Sequence, residues 1–78
     1  MLSRTDLRSV VAEALKKLGG QAKVVEVAKY IWEHYETDLR SSGDLFYTWQ
    51  YDMRWAATQL REQGIIKAPE KTGVWVLA

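Results

Sequence analysis

Tyr47, Gln50, Tyr51, Arg54 and Thr58 recur at intervals of three, one, three and four, so a helix through them carries all five on one face. The side-chain types suit contact with nucleic acid. A glutamine amide pairs bidentately with adenine, and an arginine guanidinium with guanine or a phosphate. Tyrosines donate to phosphates or stack on an exposed base. An ordinary solvated face has the same spacing, but two tyrosines and an amide among its arginines favour a contact surface. Further along, Lys67, Lys71 and Thr72 surround a Pro69–Gly73 turn, where lysines suit phosphate contact and Glu70 offsets part of their field. Arg4, Arg8, Lys16, Lys17, Lys23 and Lys29 make the first part of the chain basic. Most of these read as solvated helix faces, with Lys23 placed to flank a phosphate backbone.

Residues suited to covalent or acid–base chemistry are scarce. The chain has 78 residues, no cysteine and one histidine, which excludes thiolate-ligated metals and argues against a histidine-built site. His34 stands beside Glu33 and Tyr35 with no nucleophile in a readable pattern, and suits the exposed end of a helix. Glu70 and Lys71 are adjacent, without the Glu-x-Lys or Asp-x-Lys spacing of nuclease strands, and Gly19–Gly20 do not make a phosphate loop. The expectation is a chain with no catalytic residue, no cofactor and no metal.

The elements that must position the Tyr/Gln/Arg face follow from periodicity. Leu7, Val10, Val11, Ala14, Leu15 and Leu18 give a first helix over about 6–18, with Ser3 or Thr5 to cap it and Gly19–Gly20 to end it. Gln21–Lys23 reads as a short extended piece. Val25, Val27, Ala28, Ile31, Trp32 and Tyr35 predict a second helix over about 24–35, and Glu36–Asp44 a loop of about nine residues. A third helix over about 45–63 buries Phe46, Trp49, Met53, Ala56 and Leu60, and Gly64 stops it. Ile65–Ala68 and Val74–Leu77 are short β-prone runs separated by Pro69 and Gly73, the pattern of a hairpin over about 65–77. Trp32, Trp49 and Trp75 belong to the core by this reading, whereas Trp55, on the flank of the third helix, either stacks on a base or partner or packs beside the hairpin, and packing is the favoured role.

Composition agrees with a small folded unit. Hydrophobic residues make up 47% of the chain and charged residues 27%, so the chain is neither a disordered tail nor a membrane span. No signal-peptide core begins it, and the expected location is the cytoplasm. A net charge of +1 points only weakly to nucleic acid. Mainly α with a small β-hairpin, in this element order, predicts a winged helix-turn-helix: three helices sharing a core, with a C-terminal two-stranded wing.

The tail also resembles a known family. Trp55–Ala56, Leu60–Arg61, Gly64–Ile65–Ile66, Pro69, Lys71 and Gly73–Val74–Trp75, closed by Leu77, are similar to the N-terminal winged-helix domain of Mrr-type restriction proteins. Ser42–Gly43 ahead of the third helix fits as well, and the likeness spans about Leu7 to Leu77. It implies a domain that reads double-stranded DNA for a nuclease which cuts modified DNA. The nuclease would then be a separate subunit or another part of a longer chain. The rival expectation is a winged helix that binds a protein or dimerises, with Tyr47, Tyr51 and Trp55 as its contact patch.

Overall fold

The computed structural model describes residues 1–68 and 73–78. In chain order they form α1 (Asp6–Lys17), β1 (Gln21–Lys23), α2 (Val24–Arg40), α3 (Leu45–Glu62) and β2 (Val74–Val76). The fold is thus mainly helical, with one two-stranded antiparallel sheet.

α1 begins with a reciprocal pair one turn before its first residue. The Ser3 N–H donates to Asp6 Oδ2 at 2.8 Å, and the Asp6 N–H reaches Ser3 Oγ at 3.3 Å. The Ser3 N–H, and after it the Ser3 hydroxyl, hold the Asp6 carboxyl below its usual range. At the other end Gly19 takes φ +94°, which an L side chain rarely adopts, and lets the Gly20 N–H reach back to the Leu15 carbonyl at 2.7 Å. That reversal feeds the chain into β1.

The register pairs Gln21 with Val76, Ala22 with Trp75 and Lys23 with Val74. The expected hairpin over 65–77 is therefore only partly formed among the described residues. Its second arm is β2, but the ladder partner of β2 is β1. The first arm contributes a single bridge, Ile66 to Leu77, made by the Lys67 N–H to the Val76 carbonyl and the Ala78 N–H to the Ile65 carbonyl, each at 2.9 Å. Few residues separate the glycine that ends α3 from Pro69, so the first arm has little length for a ladder. β1, with both ends anchored by helices, takes the other edge of β2 instead.

α2 starts at Val24 as its periodicity predicts, with the Val24 N–H bonded to the Gly73 carbonyl at 2.8 Å. It does not stop at Tyr35. Five more residues are helical, to Arg40, and the loop expected over Glu36–Asp44 shrinks to the four residues that remain. Leu39 is the reason: it extends the row Val27, Ile31, Tyr35 by one more turn and is fully buried. An ion pair between Arg40 Nε and Glu36 Oε2 at 2.8 Å adds a small contribution on the outer side of that turn.

α3 buries Leu45, Trp49, Met53, Ala56, Ala57 and Leu60 against α1 and α2. Phe46, expected in this stripe, is only half-buried, and Leu45 takes the inward place. Trp49 and Trp75 lie in the core as expected, whereas Trp32 is half-buried at its edge, its ring stacked on Trp49 with centroids 6.2 Å apart. Two other residues of the expected stripes turn outward: Leu18 beyond the end of α1, and Val25, 58% exposed at the start of α2. The second helix therefore faces the core with Val27, Ile31 and Leu39, and its first turn stays open along one side.

Candidate nucleic-acid interface

All five residues of the Tyr/Gln/Arg face point outward from α3. Tyr47 is 83% exposed and Tyr51 71%, and Gln50, Arg54 and Thr58 are exposed as well. The opposite side of the same helix is the core stripe, so burial of Trp49, Met53, Ala56 and Leu60 fixes the outward face in orientation. Thr58 Oγ1 donates to the Arg54 carbonyl at 3.2 Å, which leaves its lone pairs as acceptors toward solvent. Phe46 meets Tyr47 edge-on at 5.1 Å and supports that ring from the helix's first turn.

Other elements extend this face. Gln50 and Arg54 form one wall of a groove of about 470 Å³ whose other walls are Lys23, Val24 and Val25, with Gly73 and Val74 at its end. One helix turn away, a second groove of about 520 Å³ runs between α2 and α3, lined by Val25, Trp32, Phe46, Trp49 and Gln50, with Lys29 and Glu33 at its rim. The two grooves share Val25, Ala28 and Gln50 and so form one furrow beside the outward face of α3. Its end nearest the sheet is basic and the other end is aromatic.

Lys67 is exposed, and its carbonyl accepts from Arg61 Nε at 3.3 Å, which ties the segment after α3 to the last turn of that helix. Lys71 and Thr72, the other two expected contacts of the turn, lie outside the described residues. The structure therefore brings Tyr47, Gln50, Tyr51, Arg54 and Thr58 together on α3, and adds Lys23 from the start of α2.

Sequence reasoning missed a cluster on the flank of α3. Asp52 is 8% exposed, the one buried charged side chain among the described residues. Its Oδ2 accepts the Thr48 hydroxyl at 2.8 Å, and its Oδ1 lies 3.2 Å from Arg4 Nε. The Arg4 guanidinium also sits 4.0 Å over the Trp55 ring. Trp55 is half-buried and packs against the core, although its flank position left it open to projecting. The i, i+4 spacing of Thr48 and Asp52 is a local signal for their hydrogen bond, but nothing local pairs either with Arg4.

The other side of the molecule differs in chemistry. A groove of about 600 Å³ between α1 and the end of α3 is lined by Arg8, Lys16 and Lys17 over a floor of Ala12, Leu60 and Ile65. Glu13, on its edge, is held by two tyrosines of α2: Tyr30 donates at 3.1 Å and Tyr35 at 2.9 Å. His34 is exposed and stacks on Tyr30 with centroids 4.0 Å apart. Among the described residues no three His, Asp or Glu side chains converge as a metal site would require. Among the described residues, no helix is long and apolar enough to cross a membrane.

No protein-family description, curated protein or solved structure matches this chain.

Proposed function

We propose that the chain is a winged helix-turn-helix domain that binds double-stranded DNA, with α3 in the major groove. The observation that carries this reading is the outward face of α3. Five side chains able to meet bases or phosphates are exposed together there, on a helix whose other side is locked into the core. A helix about 10–12 Å across fits the B-form major groove, and Gln50 and Arg54 have the bidentate donors and acceptors that base edges present. Lys23, at the start of α2, lies in the groove beside Gln50 and Arg54, and Lys67, after α3, is exposed; both suit flanking phosphates.

The element order supports the winged-helix reading: β1 sits between the first two helices and pairs with the strand that follows the third. The likeness of the tail to Mrr-type restriction proteins supports a role as the DNA-reading part of a restriction or defence system, with a nuclease subunit as partner. Exposed Tyr47 and Tyr51 are compatible with a modified base in the target.

The test is a fluorescence-anisotropy titration of a mixed-sequence duplex at about 50 and about 200 mM salt, because each neutralised phosphate contributes about 0.9 to the logarithmic salt slope. Micromolar binding that weakens steeply with salt supports the proposal. Absence of binding at the lower salt refutes it, and would turn the exposed tyrosines into a protein-contact patch. Repeating the titration with a methylated duplex reads any preference for a modified base.

A further inference from the structure

We infer that Arg4 is an additional DNA-contacting residue, aimed in advance by Asp52 and Trp55; the inference rests on the DNA-binding reading above. Three observations converge on it. The guanidinium carbon sits 4.0 Å over the centre of the Trp55 ring, its Nε lies 3.2 Å from the Asp52 carboxylate, and the side chain is still 48% exposed. Asp52 in turn is fixed by the Thr48 hydroxyl. One edge of the arginine fork is thus occupied and its rotamer restricted, while much of the group faces solvent.

Its place on the helix gives this arrangement a direction. Trp55 follows Tyr51 by four residues, which is about 40° round the helix, so Arg4 lies alongside the Tyr51–Thr58 edge of the contact face. It enters from the N-terminal arm and widens the α3 face on the side away from Lys23. A duplex seated on α3 would place a phosphate strand along each edge of the helix. Lys23 serves one edge, and Arg4 serves the other.

Stability alone gives a weaker reason for the cluster. Half-exposed ion pairs contribute little, and burying a carboxylate such as Asp52 carries a desolvation cost that an apolar residue would avoid. A carboxylate that orients a planar guanidinium for an outside acceptor has a use for that cost. Ordering the arginine in the free protein removes part of the side-chain entropy otherwise lost on binding. Lysine would not serve in the same way, since it can neither stack flat on Trp55 nor offer a fork.

The experiment is the same duplex titration on wild-type protein, Arg4→Ala, Arg4→Lys, Asp52→Asn and the Arg4→Ala/Asp52→Asn pair, each checked for native helical circular dichroism. Arg4→Ala is expected to weaken binding about five- to tenfold, the size of one ordinary net hydrogen bond at a solvent-exposed contact. It should also lower the logarithmic salt slope by up to about 0.9, a readout that a merely structural arginine would not move. Arg4→Lys keeps the slope and loses affinity. Asp52→Asn weakens binding in the wild-type background and adds no loss once Arg4 is gone. Wild-type affinity and slope in both Arg4→Ala and Arg4→Lys overturn the inference while leaving α3 as the DNA-binding helix. A wild-type protein that does not bind the duplex overturns both.

Discussion

The hydroxyl of Tyr35 lies 2.9 Å from each carboxylate oxygen of Glu13, so its single proton is shared between them and ties the middle of α2 to α1. Tyr30 donates to the same carboxylate. Burial first, and then the hydrogen bond to Glu13, raise the proton affinity of both hydroxyls above the ordinary tyrosine range. A tyrosine that holds its proton more tightly when folded contributes stability fully below the unfolded value of about 10 and loses it as pH rises through the folded value. Thermal melts between about pH 8 and 11.5 should therefore show destabilisation beginning near 10. In Tyr30→Phe/Tyr35→Phe that alkaline step should shrink, and an unchanged step would assign it to other groups.

At neutral pH the same link has a simpler consequence. Tyr35→Phe removes the shared hydrogen bond and leaves the ring in place. A loss of about 1 kcal/mol is expected, which in a domain of this size lowers Tm by about 4–8 °C. Differential scanning calorimetry reads it directly, and an unaltered Tm would mean that water replaces the hydroxyl without loss.

Leu39 tests the length of α2. It is fully buried in the core although it lies beyond the point where sequence periodicity places the helix end. Leu39→Ala should cost about 2–5 kcal/mol in urea unfolding, as truncation of a buried leucine does. A change below about 0.5 kcal/mol, the size expected of a surface loop residue, would return residues 36–40 to a loop.

That result bears on what could be read in the sequence. The row Val27, Ile31, Tyr35, Leu39 is visible in the sequence, but Thr37, Asp38, Ser41 and Ser42 resemble loop composition and mask its last turn. Weak helix formers give way when one more apolar residue reaches the core. The outward face of α3 was legible because its period is long and unbroken. Both strands were legible, Gln21–Lys23 as an extended piece and Val74–Leu77 as a β-prone run, but their pairing was not, since it joins the two halves of the chain. The Arg4–Asp52 contact was hidden for a related reason: a charge pair formed by tertiary packing leaves no local spacing to detect.

Gly64 offers a test of backbone conformation without any packing term. Its φ is +77°, its N–H bonds the Arg61 carbonyl at 3.1 Å, and a Cβ built there meets nothing within 4 Å. Gly64→Ala should cost about 1–2 kcal/mol from the left-handed conformation alone. Gly64→Asn, which tolerates that region better, should recover part of the loss. Equal stability of the alanine and asparagine variants would contradict the conformational argument.

Arg54 is the contact residue with the clearest individual expectation. Arg54→Ala should weaken duplex binding by about 1–3 kcal/mol if the guanidinium meets a base edge, and relax sequence preference at that position. A uniform loss across sequences, with a salt slope smaller by about 1, would instead assign Arg54 to a phosphate. Unchanged affinity would remove it from the interface.

The central claim is that DNA meets the outward face of α3, and amide chemical-shift mapping with a short duplex tests it most directly. The predicted result is a set of perturbed amides at Tyr47, Gln50, Tyr51 and Arg54, spreading to Lys23 at the start of α2. Perturbations confined to the groove of Arg8, Lys16 and Lys17 would contradict it and place the nucleic acid on α1 instead.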